Sequence, residues 1–315
     1  PVVKTRSGEW LQDTTIIAEE LERRHPEPSI AATTPVQYIV SLLLEAWGDE
    51  YWLPIVMHYR WTYKAENKPV IVENSGKALL PGFPKFLQRK LAESGSDRLD
   101  KAAPIIGFMP EQHAMIEAWT EATLDLLDLH FSKWDYLLGS QPTVADFSLL
   151  ASFFGHLNWD PFPKRTLMPS RPALTAFVER MKAGTPASGP LLPDDAIPQT
   201  VFPILKRVFD EFFPMVESYR AVAEDHITKN KLASGDPIPR FIEKAQFPMR
   251  GETFRRNAMP YTLWLMQRVA RLFSEMPEQD QLKVDDWLQA NFGRKLSDLD
   301  LGPELRRTGL STVLV

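Results

Sequence analysis

The sequence predicts a mainly α protein that opens with one short β-hairpin. Apolar residues recur at helical spacing through most of the chain. The clearest strand-like stretch is confined to residues 1–13. The 27 prolines of 315 residues gather between the apolar stretches, as at Pro161, Pro163, Pro169 and Pro172, or at Pro190, Pro193, Pro198 and Pro203. There they act as punctuation between helices.

Taken in order, PVVK is short and β-branched, TRSG is a turn and GEWLQ is a second short run, so the pair reads as a hairpin. Asp13, Thr14 and Thr15 precede IIAEELERR, where Asp or Thr caps the start and Glu19, Glu20, Arg23 and Arg24 suit the helix dipole. His25-Pro26-Glu27-Pro28 ends that helix. QYIVSLLLEAWGDEYW follows, apolar at Tyr38, Val40, Leu42, Leu43 and Trp47. EQHAMIEAWTEATLDLLDLHFSKW carries Met115, Trp119, Leu126 and Leu129 near helical spacing. Thr143 and Asp146 form a capping-box variant that opens FSLLASFFGHL. ALTAFVERMKAG stops at Gly184. Residues 185–200 read as a linker. Three further helices follow in VFPILKRVFDEFF, FPMVESYRAVAEDHI and PYTLWLMQRVARLFSEM. The last places Tyr261, Leu265, Val269 and Leu272 on one face, with Pro260 in its first turn.

At about 150 residues per domain the length suggests roughly two domains. Apolar residues at 44% and charged residues at 24% exclude a disordered chain. With no cysteine there is no disulfide, no cysteine zinc site and no thiol nucleophile. A net charge of −5, from 36 basic and 41 acidic residues, sets nucleic acid aside. The longest apolar run, Tyr38 to Leu44, falls far short of the ~20 residues of a bilayer span, and PVVKTRSGEW is not a signal peptide. No membrane partner and a cytoplasmic location are the expectations. Asp49, Glu50 and His58 lack a metal-ligand spacing, so no metal is expected. Arg250, Arg255, Arg256 and Arg268 form a loose basic group, read as a solvated or salt-bridged face. His113 and Glu117, four apart, read as a surface contact.

A two-stranded hairpin needs more strands or a covering helix. Either it packs on the helical body or strands precede it, and a start at Pro1 favours the second expectation.

PVVKTRSGEWLQDTTIIAEELERRHP, TVADFSLLASFF and RPALTAFVERM together resemble the glutathione transferase family in order and spacing. The resemblance covers residues 1–185. It implies the C-terminal half of a thioredoxin-like α/β domain over 1–30, an all-helical domain over 31–185, and an additional helical extension over 186–315. It also implies a glutathione thiolate attacking a small hydrophobic electrophile, and a homodimer. Pro1 matches the family's cis-proline position, and Val2 the strand whose edge pairs with the cysteinyl backbone of glutathione. Asp13 and Thr14 match the acidic-Ser/Thr pair. An N-terminal turn offers free N–H groups to a carboxylate, so Thr14 would take the α-carboxylate of the γ-glutamyl group and Asp13 its ammonium. The alternative is that both residues only cap the helix. The family's catalytic Tyr, Ser or Cys would lie upstream of Pro1, so no catalytic residue is named.

Tyr51, His58, Tyr59 and Trp61 could wall the electrophile's site. An aromatic core cluster is the preferred alternative for them. A non-catalytic member of the family, used for binding or assembly, is the alternative function.

Overall fold

The computed structural model describes residues 1–315. Strands β1 (Val2–Lys4) and β2 (Trp10–Gln12) pair antiparallel with Val3 opposite Leu11. Leu11 is buried, while Val2 and Trp10 remain exposed. Helix α1 (Thr14–Arg24) packs behind the hairpin. Its cap is Asp13, whose carboxylate accepts the Thr15 N–H at 3.2 Å.

The body comprises α2 (Pro35–Glu50), α3 (Leu53–Thr62), α4 (Lys64–Leu79), α5 (Lys85–Asp100), α6 (Ala103–Ile106), α7 (His113–Phe131), α8 (Val144–Ser152), α9 (Pro161–Thr166) and α10 (Pro172–Ala183). Helix α2 is the central element. It packs on α8 on one side and on α13 (Pro260–Ser274) and α14 (Glu278–Phe292) on another. Gly48 permits the crossing with α8, because a Cβ there would lie 2.5 Å from the Ser148 hydroxyl. The Thr143–Asp146 capping box opens α8, with Asp146 accepting from the Thr143 and Leu137 N–H groups at 2.8 Å each. Gly184 closes α10 at φ 64°.

Beyond residue 200 come α11 (Phe202–Arg207) and α12 (Phe213–Asn230), then α13 and α14. This region is not purely helical, which corrects the expectation that everything after the first hairpin is helix. Strands β4 (Lys244–Met249) and β5 (Glu252–Asn257) form a hairpin with Phe247 opposite Phe254. Strands β3 (Pro237–Ile238), β6 (Leu305–Thr308) and β7 (Ser311–Leu314) form a sheet in the order β3-β7-β6. The physical reason is period two. Ala245, Phe247 and Met249 point inward while Lys244, Gln246 and Pro248 point out. Arg250 and Gly251, at φ 53° and 85°, close the turn. Helices α4 and α5 also escape a reading by periodicity, since they bury only Asn67, Val72, Gly76, Ala92 and Ser96.

One apolar cluster runs from Val36 in α2 to Leu314 in β7. The stretch 185–200, read as a linker, is docked onto it. The Asp195 carboxylate accepts the N–H groups of Val36 at 3.0 Å and Gln37 at 2.9 Å, and pairs with Lys283 at 2.8 Å. An aspartate 159 residues beyond Val36 in sequence thus supplies the N-terminal cap that α2 lacks locally.

A second long-range tie is buried. Arg268 of α13 donates to Glu45 of α2 at 2.8 Å and to Glu19 of α1 at 2.6 Å, and Glu45 also accepts the Thr15 hydroxyl at 2.9 Å. Arg268→Met leaves Glu45 buried without its cation and should lower the unfolding free energy by about 3–5 kcal/mol. Pairing it with Glu45→Leu should recover most of that loss in urea unfolding. Asp195→Ala should cost about 1–2 kcal/mol in the same assay. Burial pushes the Asp195 carboxyl up, but Lys283 and the two amides outweigh it and hold it below its ordinary value. Its contribution is therefore full above the unfolded value of ~3.9 and is lost as pH falls through the lower folded value. The alanine variant should lack that part of the acid unfolding limb.

Candidate functional site

Helix α1 begins in a crevice of about 830 Å³ formed between the first hairpin and the C-terminal strands. Asp13, Thr14, Asp49, Arg240, Tyr261 and Arg307 line it, with Pro1 at one end. The first turn of a helix leaves its N–H groups without intrahelical acceptors and carries partial positive charge. Thr14 is exposed at that turn. Arg240 is exposed on one wall, and Arg307 stands 5.1 Å from the Tyr261 ring centroid. The crevice thus presents the exposed Arg240 guanidinium and a helix N-terminus, with the largely buried Arg307 also in its lining.

Asp13 is the most constrained residue of the site. Its backbone sits at φ 86° and ψ 132°, a left-sided conformation costly for a residue with a Cβ. Besides capping Thr15, its carboxylate accepts the Tyr261 hydroxyl at 2.9 Å and lies 3.9 Å from Arg307. The capping alternative is therefore realised for Asp13, and the C-terminal region contributes two of its partners.

A second crevice, of about 420 Å³, lies along the other side of α1 and shares Thr14 and Asp49 with the first. Ile17, Leu21, Val144 and Phe147 make it apolar.

Tyr51, His58, Tyr59 and Trp61 are buried and line neither crevice. Tyr51 stacks edge-on to Trp119, 4.6 Å between centroids, and its hydroxyl bonds the Glu211 carboxylate. His58 bonds Glu117 at 2.9 Å and Thr62 at 3.0 Å. Burial lowers the His58 imidazole to about 4, so at neutral pH its contact with Glu117 is a hydrogen bond of a neutral ring. Glu117 is engaged by His58 and by Tyr63 at 2.6 Å, while His113 turns to the Phe108 carbonyl at 3.0 Å. The His113–Glu117 pair of the sequence reading is thus replaced by longer-range partners. The four arginines grouped by sequence are dispersed, with Arg256 and Arg268 buried and Arg250 bonded to the Ala118 carbonyl. No group of three His, Asp or Glu side chains is arranged to hold a metal ion.

Sequence reasoning missed Arg240 and Arg307 as site residues and gave Tyr261 only a place on a helix face. No local pattern marks them, because Tyr261 and Arg307 meet Asp13 more than two hundred residues away and Arg240 joins the lining only through the tertiary fold. Asp49 was weighed only as a metal ligand. It accepts the Ser148 hydroxyl at 2.7 Å, and burial pushes its carboxyl up to about 8, with Glu45 and Glu50 acting in the same direction. The unfolded chain releases this proton near ~3.9 whereas the folded chain keeps it to about 8, so stability falls as pH rises between those values. Asp49→Asn should remove that loss. Urea midpoints of variant and parent should diverge progressively above about pH 4 and run parallel above about pH 8.

Residues 113–180 match the family model of the glutathione S-transferase C-terminal domain. That stretch contains α7, the capping box, α8 and most of α10. Among solved structures, the crystal structure of the beta-etherase LigF from Sphingobium sp. strain SYK-6 is similar, at 22% identity over 56% of this chain and 71% of that one, with a TM-score of 0.37. No curated protein sequence matches the chain. The likeness to the glutathione S-transferase C-terminal domain is thus confined to the helices between His113 and Arg180, about a fifth of the chain.

Proposed function

We propose that the protein is a glutathione-dependent transferase whose co-substrate lies in the crevice at the start of α1. One observation carries this reading. Thr14 stands exposed at a helix N-terminus, faced by Arg240 and Arg307 in a crevice of about 830 Å³. Glutathione carries two carboxylates, and such a pocket suits them. In this reading Thr14 takes the α-carboxylate of the γ-glutamyl group through its N–H and hydroxyl. Asp13 receives the ammonium. The outer edge of β1 at Val2, beside Pro1, pairs with the cysteinyl backbone, as in a thioredoxin-like domain. The thiolate sulfur forms a bond to the electrophilic centre as the leaving group departs with its electron pair. The apolar crevice beside Leu21 and Phe147 supports a hydrophobic electrophile next to Thr14. Conjugation, reductive dehalogenation, ether cleavage and isomerisation all use this arrangement. The thiolate-stabilising group is assigned to no residue of this chain. The same reading takes the protein as a cytoplasmic homodimer.

A second reading is favoured by the state of Asp13. Its carboxylate already holds the Thr15 N–H and the Tyr261 hydroxyl and faces Arg307. A non-catalytic member, in which the C-terminal region occupies the place of the ligand's ammonium, accounts for that saturation.

Calorimetric titration with glutathione separates the two. In the transferase, Thr14→Ala should weaken binding about tenfold, the worth of one hydrogen bond to a charged group, with the melting temperature little changed. Arg307→Ala should also weaken it. An unchanged affinity in Thr14→Ala would sink the assignment, and a tighter affinity in Arg307→Ala would mean that Arg307 competes with the ligand for Asp13.

A further inference from the structure

Helices α4 and α5 form a hairpin that is attached to the body mainly through α4, by way of α3 and α9. The crossing is close, since a Cβ on Gly76 would lie 2.8 Å from the Gln88 carbonyl oxygen. The Gln88 side chain also donates to the Leu80 carbonyl at 2.9 Å, closing the end of α4. The tip is thus a built turn, Leu80-Pro81-Gly82-Phe83-Pro84, with Gly82 at φ 81°.

The composition of this tip is unlike the rest of the chain. Residues 77–91 contain Lys77, Lys85, Arg89 and Lys90 and no acidic residue, in a protein of net charge −5. Lys77 and Arg89 pair back with Glu73 and Glu93, at 2.7 Å each, and Lys85 and Lys90 pair with nothing. Among these cations the large apolar side chains point outward. Leu79 is 58% exposed, Phe83 55% and Phe86 69%, with Leu87 and Leu91 also exposed. Helical spacing sets Phe86, Leu87, Lys90 and Leu91 on one face of α5, opposite Ala92 and Ser96, which are buried. Exposed phenylalanines and leucines interleaved with lysines are the pattern of a helix that lies in a lipid headgroup layer.

We propose that the α4–α5 tip docks on the surface of an anionic lipid bilayer, with Phe83 and Phe86 inserted at the acyl boundary and Lys85 and Lys90 on the headgroups. Charge selects this occupant. A second copy of the chain would bring the same cationic tip and repel, whereas an anionic leaflet attracts each lysine near it. No helix is long and apolar enough to cross a membrane, so the attachment is peripheral and reversible.

Co-sedimentation of the full chain with phosphatidylcholine vesicles, with and without phosphatidylserine, tests this. Binding should require phosphatidylserine and fall with added salt. Lys85→Glu with Lys90→Glu should weaken it about 30-fold or more, from two lost cations alone. Phe83→Ser with Phe86→Ser should weaken it at unchanged salt dependence. Unaltered circular dichroism and melting of both variants shows that the hairpin remains folded. The proposal is overturned if the parent chain ignores phosphatidylserine vesicles, or if both double variants bind as it does. It is equally overturned if light scattering shows the apolar pair to hold two copies together while vesicles remain unbound.

Discussion

Arg268 is where three stretches distant in sequence meet. Its guanidinium is nearly inaccessible and lies between Glu45 of α2 and Glu19 of α1. Withdrawing a cation from water costs several kcal/mol, an amount offset only by well-placed carboxylates. The chain therefore holds α1, α2 and α13 in the register that keeps all three charges together. The Thr15 hydroxyl completes the set on Glu45. The crevice inherits its geometry from this point. Tyr261 lies two helical turns from Arg268, about 10 Å along α13. Asp49 lies one turn beyond Glu45, and Asp13 and Thr14 immediately precede Thr15. Asp13, Thr14, Asp49 and Tyr261 are thus short extensions of the arms of the ion triad, and the C-terminal strands supply the facing wall.

The C-terminal region is accordingly part of the same body rather than an appendage. Tyr51 reaches Glu211 and Thr262 reaches Glu50, both across buried contacts. Gln112, just before α7, accepts the Arg255 N–H at 2.7 Å and donates to the Arg255 carbonyl at 3.0 Å, so it continues the edge of β5 as a strand would. Asp195 caps α2 from a segment whose composition reads as a linker. A proline- and glycine-rich stretch has little intrinsic structure, but one buried carboxylate with three donors fixes it.

What was legible in the sequence is what closes locally. Thr143 and Asp146 are three residues apart, and the donors that satisfy Asp146 lie within ten residues, so the capping box can be read without tertiary knowledge. The same holds for Gly184, Pro260 and the first hairpin. Period two in KAQFPM was obscured by Pro248, which an outer position of the strand tolerates. Tyr51, His58, Tyr59 and Trp61 are a case of another kind. Aromatic identity favours a core cluster over a binding wall, and their burial accords with the core, but only the packing around α3 and the end of α2 shows it. Glu45, Asp49 and Glu50 likewise look like a solvent-facing acidic end until α8 and α13 cover them.

That burial also settles the sign of the crevice. Desolvation raises the Asp49 carboxyl to about 8, and the Glu50 carboxyl is raised in the same way despite the Thr262 hydroxyl. Burial thus favours the protonated form of Asp49, and the Asp13 carboxylate already accepts from the Thr15 N–H and the Tyr261 hydroxyl, with Arg307 3.9 Å away. The charge that faces solvent is then that of Arg240 and the α1 N-terminus, with the largely buried Arg307 beside Asp13 and Tyr261. In a chain of net charge −5 the acids nearest this crevice are therefore held protonated by burial or engaged in a cap, while Arg240 remains exposed on its wall. On the proposed function, selection of a carboxylate here would rest on which charges are desolvated and on the free N–H groups of α1 rather than on the overall balance of acidic and basic residues.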